Sequence, residues 1–292
     1  MEIAKKKTII GFIGLGVMGH SMAGHLLEAG FALHVYNRTA SKADDLVKKG
    51  AVLEARVADL AQKSDVIISI VGFPGDVEQV YLGSLGVLEN AKPGSIAIDM
   101  TTSDPALAID LYDKGRQKKI HVLDAPVSGG DLGAKNASLS IMVGGDKKVF
   151  DKALPVLEIM GKNIVYQGGA GAGQHTKMAN QIAIAAGMVA MCEALAYASR
   201  AGLDPETVLG SIGQGAAGSW SLNNLGPRII QKNDKPGFFI KHFIKDMKIA
   251  AASSKRLGLE TPGLDLALSL YRKMAEKGLE NDGTQALYKL FE

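Results

Sequence analysis

Three glycines, Gly14, Gly16 and Gly19, end an apolar run over residues 9–13 and begin a helical pattern. In this spacing the first glycine permits a tight turn, the second lets the backbone approach a pyrophosphate, and the third lets the helix pack against the strand. The unpaired N–H groups and the dipole of the helix N-terminus favour anions. The stretch Gly14-Leu15-Gly16-Val17-Met18-Gly19 therefore predicts a dinucleotide site. The alternative is a glycine-rich strand–helix turn that binds no ligand.

The residues that follow the second predicted strand, 32–36, indicate which dinucleotide binds. NAD sites usually carry an acidic residue at this place, and it binds the ribose 2′-hydroxyl. The chain has Asn37, Arg38 and Thr39 instead. No carboxylate would repel a 2′-phosphate, and a guanidinium is available to pair with it. The sequence therefore favours NADP over NAD, and the alternative for Arg38 is an ordinary solvated cation.

A lysine and two amides, Lys177, Asn180 and Gln181, stand at the start of a long apolar helical pattern. Spacings of three and four residues place them on one helix face. A lysine in this position suits proton transfer, because burial brings the pKa of an amine toward neutrality. The alternative is a surface lysine whose stem lies along the apolar face.

Two further segments could line a site. The turn Ser128-Gly129-Gly130 follows a predicted strand, at the sheet edge where α/β proteins bind ligands, and its N–H groups could bind a carboxylate. It lacks the Gly-x-Ser-x-Gly pattern of a nucleophile elbow, which argues against a hydrolase. Lys245 and Asp246 begin another helical pattern, where they could also be a simple surface charge pair.

Strand and helix patterns alternate up to about residue 166, and the strands are continuous apolar runs. This alternation is typical of parallel strands joined by crossover helices, in a sheet covered on both faces. After residue 167 only helical patterns follow. We therefore predict an α/β Rossmann N-terminal domain over 1–167 and an all-α C-terminal domain over 168–292, with a substrate cleft between them.

The composition narrows the functional class. A net charge of +3 and six histidines without metal-ligand spacing argue against nucleic acid and metal. The single cysteine, Cys192, excludes an internal disulfide and favours a cytoplasmic protein. Residues 178–198 approach the length of a membrane span, but Asn180, Gln181 and Glu193 interrupt them. We expect no membrane span, and instead a helix buried in a homodimer or homotetramer.

Five motifs in chain order identify a family resemblance. They are Phe12 to Gly19, Asp99-Met100-Thr101-Thr102, Asp124-Ala125-Pro126-Val127-Ser128-Gly129-Gly130, Gly171-x-Gly173-x3-Lys177-x2-Asn180, and Lys245-Asp246-Met247. With these motifs the whole chain resembles the β-hydroxyacid dehydrogenases, which include 3-hydroxyisobutyrate dehydrogenase, tartronate semialdehyde reductase and glyoxylate/succinic semialdehyde reductases. Some members carry asparagine four residues after the lysine, where this chain has Gln181.

The resemblance implies a role for each motif. Lys177 would be catalytic and protonate the carbonyl oxygen as hydride arrives. Ser128, Gly129 and Gly130 would bind the substrate carboxylate. Further substrate residues implied are Asn180, Gln181, Phe238 and Asp246, and further cofactor contacts implied are Phe73, Pro74, Thr101, Thr102 and Lys245.

The implied activity is an NADP-preferring oxidoreductase, with NAD as the other possible cofactor. It would interconvert a small β- or γ-hydroxy acid and its semialdehyde, or reduce glyoxylate, without a metal. The Asn-Gln pair resembles tartronate semialdehyde reductase, whereas residues 37–39 resemble NADPH-using semialdehyde reductases, so the substrate stays open. The alternatives are an imine reductase-like enzyme and a non-catalytic dinucleotide-binding module. Both usually lack the lysine.

Overall fold

The computed structural model describes residues 3–5 and 7–292, and the chain divides into two compact units. The first unit extends to Lys177 and the second is Met178–Glu292, whereas the sequence pattern placed the boundary at 167/168. One helix, Ala172–Arg200, contributes residues to both units.

The first unit is built on a nine-stranded sheet within the described residues. The strands are β1 Ile9–Ile13, β2 Ala32–Tyr36, β3 Val52–Leu53, β4 Val66–Ser69, β5 Ile96–Asp99, β6 His121–Asp124, β7 Val127–Ser128, β8 Leu139–Gly144 and β9 Gly161–Gly168. Their order is β3-β2-β1-β4-β5-β6-β8-β7, and β9 pairs with β8. The first six strands are parallel, so a ligand crevice is expected where the order reverses, at the carboxyl ends of β1 and β4.

Helices cover both faces of this sheet. They are α1 Gly19–Glu28, α2 Asp44–Lys48, α3 Val57–Lys63, α4 Pro74–Leu82, α5 Val87–Asn90, α6 Pro105–Gln117, α7 Gly130–Lys135 and α8 Lys147–Leu157, with a 3-10 turn at Ala40–Ala43. Alternate residues of one strand enter different cores: Ile96 and Ile98 pack in one apolar cluster and Ala97 in the other. Strands buried on both faces need apolar side chains throughout, which explains their continuous apolar sequence.

One sheet feature differs from the expectation of parallel strands. Strand β8 runs antiparallel to both β6 and β7. The segment between β7 and β8 holds only the short helix α7, Gly130–Lys135. A parallel connection needs a crossover of a dozen or more residues, so this short link reverses the chain direction.

The second unit is helical. It contains the later part of α9 Ala172–Arg200, then α10 Pro205–Ile212, α11 Trp220–Ile230, α12 Ile240–Arg256, α13 Pro262–Glu276 and the 3-10 helix Thr284–Leu290. Its core joins α9, α12 and α13, and the rings of Phe243 and Tyr271 pack edge to face with centroids 5.0 Å apart. A Rossmann domain followed by a helical region confirms the predicted fold class.

Helix α9 has the length and apolar composition of a membrane-crossing helix, and 44% of its most apolar stretch is buried within the described structure. Core helices of globular proteins meet the same criterion. Helix α9 also carries Gln174, Lys177 and Gln181, whose buried side chains form hydrogen bonds.

Candidate active site

The glycine turn between β1 and α1 has room for a ligand at one position only. Gly14 has φ +100°, and a Cβ atom there would lie 2.1 Å from the carbonyl oxygen of Ile70. A Cβ atom on Gly19 would lie 2.0 Å from the carbonyl oxygen of Gly14. A Cβ atom on Gly16, in contrast, would meet no described protein atom within 4 Å. Gly14 and Gly19 therefore serve the packing of the turn, whereas the space beside Gly16, the predicted pyrophosphate contact, is open.

The segment after β2 is tied to this turn. Leu15 N donates to Asn37 Oδ1 at 2.9 Å, and Asn37 Nδ2 donates to the carbonyl oxygen of Thr39 at 2.8 Å. The side chain of Arg38 is 78% exposed, and its NH1 donates to Asp76 Oδ1 at 3.1 Å.

The start of α4 contacts the segment after β2 through Asp76. The second oxygen of Asp76, Oδ2, accepts a hydrogen bond from Phe73 N at 3.0 Å. Asp76 thus connects Arg38 to the Phe73-Pro74 segment, which begins the helix. The two sequence segments predicted to contact the cofactor, 37–39 and 73–74, therefore lie close together.

A buried carboxylate ends strand β5. Asp99 Oδ1 accepts hydrogen bonds from Ser69 Oγ at 2.8 Å and from Thr101 N at 3.2 Å, and Ser69 Oγ also lies 3.0 Å from Tyr81 Oη. Burial, with a smaller contribution from the nearby Asp124, raises the pKa of Asp99 to about 6, although the hydrogen bonds from Thr101 and Ser69 oppose the shift. Burial also raises the pKa of Tyr81 well above its ordinary value.

The equivalent position of the next strand carries a second buried carboxylate. Asp124 ends β6 and is the register partner of Asp99. Its Oδ1 accepts from Gly171 N at 2.9 Å and its Oδ2 from Gln174 N at 2.8 Å. Burial raises the pKa of Asp124, and these backbone N–H groups counteract the rise. Sequence reasoning assigned no role to Asp99, Asp124 or Gln174, although each carboxylate ends an apolar strand at the ligand-binding edge of the sheet.

Lys177 lies beside the Ser128–Gly130 turn. Its side chain is 6% exposed, and its Nζ donates to the carbonyl oxygen of Val127 at 2.8 Å. Val127 and Ser128 form β7, and Gly129 and Gly130 follow with φ of +129° and +62°. The lysine and the turn therefore belong to one unit, and the hydrogen bond holds the lysine to the residue that precedes the turn. This placement differs from that of a surface lysine.

In the second unit the predicted polar residues form a hydrogen-bonded chain that begins at the half-buried Asn180 and ends at the buried Asp246. Asn180 Nδ2 donates to Gln181 Oε1 at 2.7 Å, and Gln181 Nε2 donates to Asp246 Oδ2 at 2.6 Å. Asp246 is 2% exposed, and its Oδ1 lies 2.8 Å from Lys245 Nζ, an ion pair without hydrogen-bond alignment. Phe238 instead packs on Phe243, with ring centroids 5.7 Å apart.

The surroundings of Cys192, His20 and His34 indicate structural rather than catalytic roles. Burial raises the pKa of the Cys192 thiol to about 12, so this thiol is inert. His20 lies 2.8 Å from Asp45, and His34 lies 2.6 Å from Glu54. Among residues 3–5 and 7–292, no group of three His, Cys, Asp or Glu side chains is arranged to bind a metal ion.

The chain is similar over nearly its whole length to known dehydrogenases and reductases. The model of the NAD binding domain of 6-phosphogluconate dehydrogenase matches residues 9–169, and the model described as NAD-binding of NADP-dependent 3-hydroxyisobutyrate dehydrogenase matches residues 171–291. The uncharacterized oxidoreductase YkwC of Bacillus subtilis is 58% identical over 98% of this chain and 99% of its own length. The 2-hydroxy-3-oxopropionate reductase of Escherichia coli is 39% identical over 92% of each chain. The 3-hydroxyisobutyrate dehydrogenase of Mycobacterium tuberculosis, solved with L-serine, is 28% identical with a TM-score of 0.88, covering 98% of this chain and 99% of that one.

Proposed function

The chain belongs to the β-hydroxyacid dehydrogenase family of NAD(P)-dependent oxidoreductases, and we propose that it reduces a small carboxylate-bearing semialdehyde, or glyoxylate, with NADPH. The reverse reaction would oxidise the corresponding β- or γ-hydroxy acid. The observation that carries the proposal is the buried Lys177, whose Nζ lies 2.8 Å from the Val127 carbonyl oxygen beside the Ser128–Gly130 turn.

The proposed cofactor fits the residues of the first unit. The open space at Gly16 suits the pyrophosphate, and Arg38 suits a 2′-phosphate. A guanidinium carries five N–H donors, so its single hydrogen bond to Asp76 does not use up its capacity. When bound, the nicotinamide supplies or accepts the hydride. NAD is the alternative cofactor, and Phe73, Pro74, Thr101, Thr102 and Lys245 remain proposed contacts of either one.

The proposed reaction divides two tasks between Lys177 and the turn. The Ser128 hydroxyl and the N–H groups of Gly129 and Gly130 bind the substrate carboxylate, because N–H groups with left-handed residues among them make an anion-binding concavity. Lys177 gives a proton to the carbonyl oxygen during reduction and takes it back from the hydroxyl during oxidation. Its hydrogen bond to Val127 fixes the amine next to the turn. Asn180, Gln181, Phe238 and Asp246 are the proposed further substrate residues.

The rival functions do not need these features. An imine reductase-like reaction or a non-catalytic dinucleotide module gives no reason to bury an amine beside an anion-binding turn. A panel of aldehydes with NADPH separates the proposed function from both rivals. We expect turnover of succinic semialdehyde, methylmalonate semialdehyde or glyoxylate, and poor turnover of butanal, which has no carboxylate. Equal efficiency with butanal and succinic semialdehyde would exclude the carboxylate site.

The decisive variant is Lys177→Met. We expect kcat to fall by about 100- to 10,000-fold, the usual cost of losing a general acid, while NADPH binding stays within about twofold of wild type because the nucleotide turn is untouched. Lys114→Met, which removes an exposed lysine paired with Asp110, is the matched control and should keep full activity. A Lys177→Met enzyme with a near-normal rate would contradict the proposed mechanism.

Assembly and location complete the proposal. Less than half of the apolar stretch of α9 is buried within the described structure, and Ala179, Ala183, Ala186 and Ala190 are exposed along it. Obligate interfaces are large and apolar, so a homodimer or homotetramer would cover this surface. The buried Cys192 is compatible with the proposed cytoplasmic location.

A further inference from the structure

We propose that Asp124 and Gln174 are positioning residues that fix Lys177 relative to the substrate-binding turn. The inference rests on the proposed role of Lys177 and adds the groups that place it. Asp124 ends β6 and accepts hydrogen bonds from two N–H groups at the start of α9, those of Gly171 and Gln174, at 2.9 and 2.8 Å. Each carboxylate oxygen thus binds a different residue of the helix start.

The start of α9 packs closely on the sheet around this contact. A Cβ atom on Gly173 would lie 2.4 Å from the carbonyl oxygen of Met142 and 2.7 Å from that of Asp124. A Cβ atom on Gly144 would lie 2.5 Å from Asp124 Oδ1. The backbone of the helix start therefore packs directly on β6 and β8, and the Asp124 carboxylate supplies one acceptor oxygen to each of two N–H groups of the helix start.

Gln174 links the same helix turn to the segment that follows a third strand, β5. Its side chain is fully buried; Nε2 donates to the carbonyl oxygen of Thr101 at 2.7 Å, and Oε1 accepts from Ser103 N at 2.9 Å. Residues 101–103 follow β5, and Thr101 and Thr102 are proposed cofactor contacts. One amide therefore links the helix that carries the lysine to the segment next to the proposed nicotinamide site.

The contacts of Asp124 and Gln174 also fix the position of Lys177, because the spacing is the same along both chain segments. Val127 lies three residues after Asp124, and Lys177 lies three residues after Gln174. The Asp124–Gln174 and Val127–Lys177 hydrogen bonds therefore connect the same two segments at two successive points. Loss of the first contact lets the helix turn shift, and a shift of about 1 Å can cost about 100-fold in rate.

The test uses the full-length protein and two variants. Asp124→Asn keeps one acceptor oxygen, but its amide N–H₂ then faces a backbone N–H group. Gln174→Met keeps a similar side-chain volume and removes both side-chain hydrogen bonds of Gln174. We expect kcat with succinic semialdehyde to fall by about 10- to 100-fold in each, with the KM for NADPH changed less than threefold. The primary isotope effect with 4-deuterated NADPH should rise, because the chemical step becomes slower. Gln117→Met, at the exposed end of α6, is the matched control.

A double-mutant cycle separates positioning from general destabilisation. In the Lys177→Met background, Gln174→Met should reduce the residual rate less than twofold, because the group that it positions is gone. Equal effects in both backgrounds would overturn the inference. If Asp124→Asn fails to fold, Gln174→Met decides alone.

The two hypotheses can also fail separately. A Lys177→Met enzyme that retains its rate refutes the proposed function and with it this inference. If Lys177→Met is inactive while a folded Gln174→Met enzyme keeps wild-type kcat and isotope effect, only the positioning role is refuted.

Discussion

Replacing Asp99 by asparagine should make the stability of the chain less dependent on pH. Asp99 is buried at the end of β5, and one oxygen, Oδ1, receives the hydrogen bonds from both Ser69 Oγ and Thr101 N. Asparagine can place its amide oxygen at the same point, so both hydrogen bonds survive. The substitution then removes mainly the charge, which has Asp124 as a neighbour of like sign.

The size of the effect follows from the pKa of Asp99, which burial raises from 3.8 to about 6. Between these values the folded chain keeps a proton that the unfolded chain has lost. Since stability falls with pH wherever the folded state binds more protons, the wild-type protein loses stability as pH rises from about 4 to about 6, and this contribution is constant above. A difference of about two pKa units corresponds to a loss of about 3 kcal/mol.

Urea unfolding followed by circular dichroism at pH 4, 6 and 8 measures this contribution. The difference in unfolding free energy between Asp99→Asn and wild type should move in favour of the variant by about 2 to 2.5 kcal/mol from pH 4 to pH 8, because part of the loss already occurs below pH 4. Asp124, whose pKa burial also raises, titrates in both proteins, so most of its contribution cancels in the difference. Asp110→Asn, at an exposed position paired with Lys114, is the control and should show a pH-independent difference below about 1 kcal/mol. A difference for Asp99→Asn that is the same at pH 4 and pH 8 would refute the reasoning.

Three further predictions concern the cofactor, the substrate and the assembly. Arg38→Asp should shift preference from NADPH to NADH in binding titrations, because repulsion replaces the pairing with the 2′-phosphate; a wild-type enzyme that strongly prefers NADH would contradict the premise. Ser128→Ala should raise the KM of the semialdehyde with little change in kcat, by about 10- to 150-fold at most, since one charged hydrogen bond contributes about 1.5–3 kcal/mol, and an unchanged KM would argue against a hydroxyl contact. Light scattering at micromolar concentration should give at least twice the 30.7 kDa of one chain, and a monomer would count against the exposed face of α9 as an interface.

The sequence predicts the fold correctly where a local residue pattern is specific to one sheet arrangement. The glycine turn after β1 and the continuous apolar strands β4 and β5 each have a local signature of a doubly covered parallel sheet. The direction of β8 has no such signature, because an apolar run looks the same in either direction. The connection through α7, too short for a parallel crossover, is the only clue in the chain, and the prediction of parallel strands overlooked it.

The site was less predictable because much of it consists of backbone groups. The carbonyl oxygen of Val127 and the N–H groups of Gly171 and Gln174 are present whatever the side chains are. Asp124 and Gln174 are 50 residues apart in the chain and interact through a backbone N–H. Motif reasoning finds reactive side chains, whereas the groups that position them emerge only from the strand register and the helix start.

The Asn180-Gln181 pair shows how the structure separates two residues that sequence treats alike. Both ends of the Gln181 amide are engaged inside the second unit, one with Asn180 Nδ2 and the other with Asp246 Oδ2. Asp246 is buried and its Oδ1 lies 2.8 Å from Lys245 Nζ, so Gln181 supplies the hydrogen bond to the other carboxylate oxygen. Asn180 is half-buried and uses its Nδ2 alone in this chain of contacts. Gln181 therefore has less hydrogen-bonding capacity left for a substrate than Asn180, and of the two proposed substrate residues we expect Asn180 to make the closer contact.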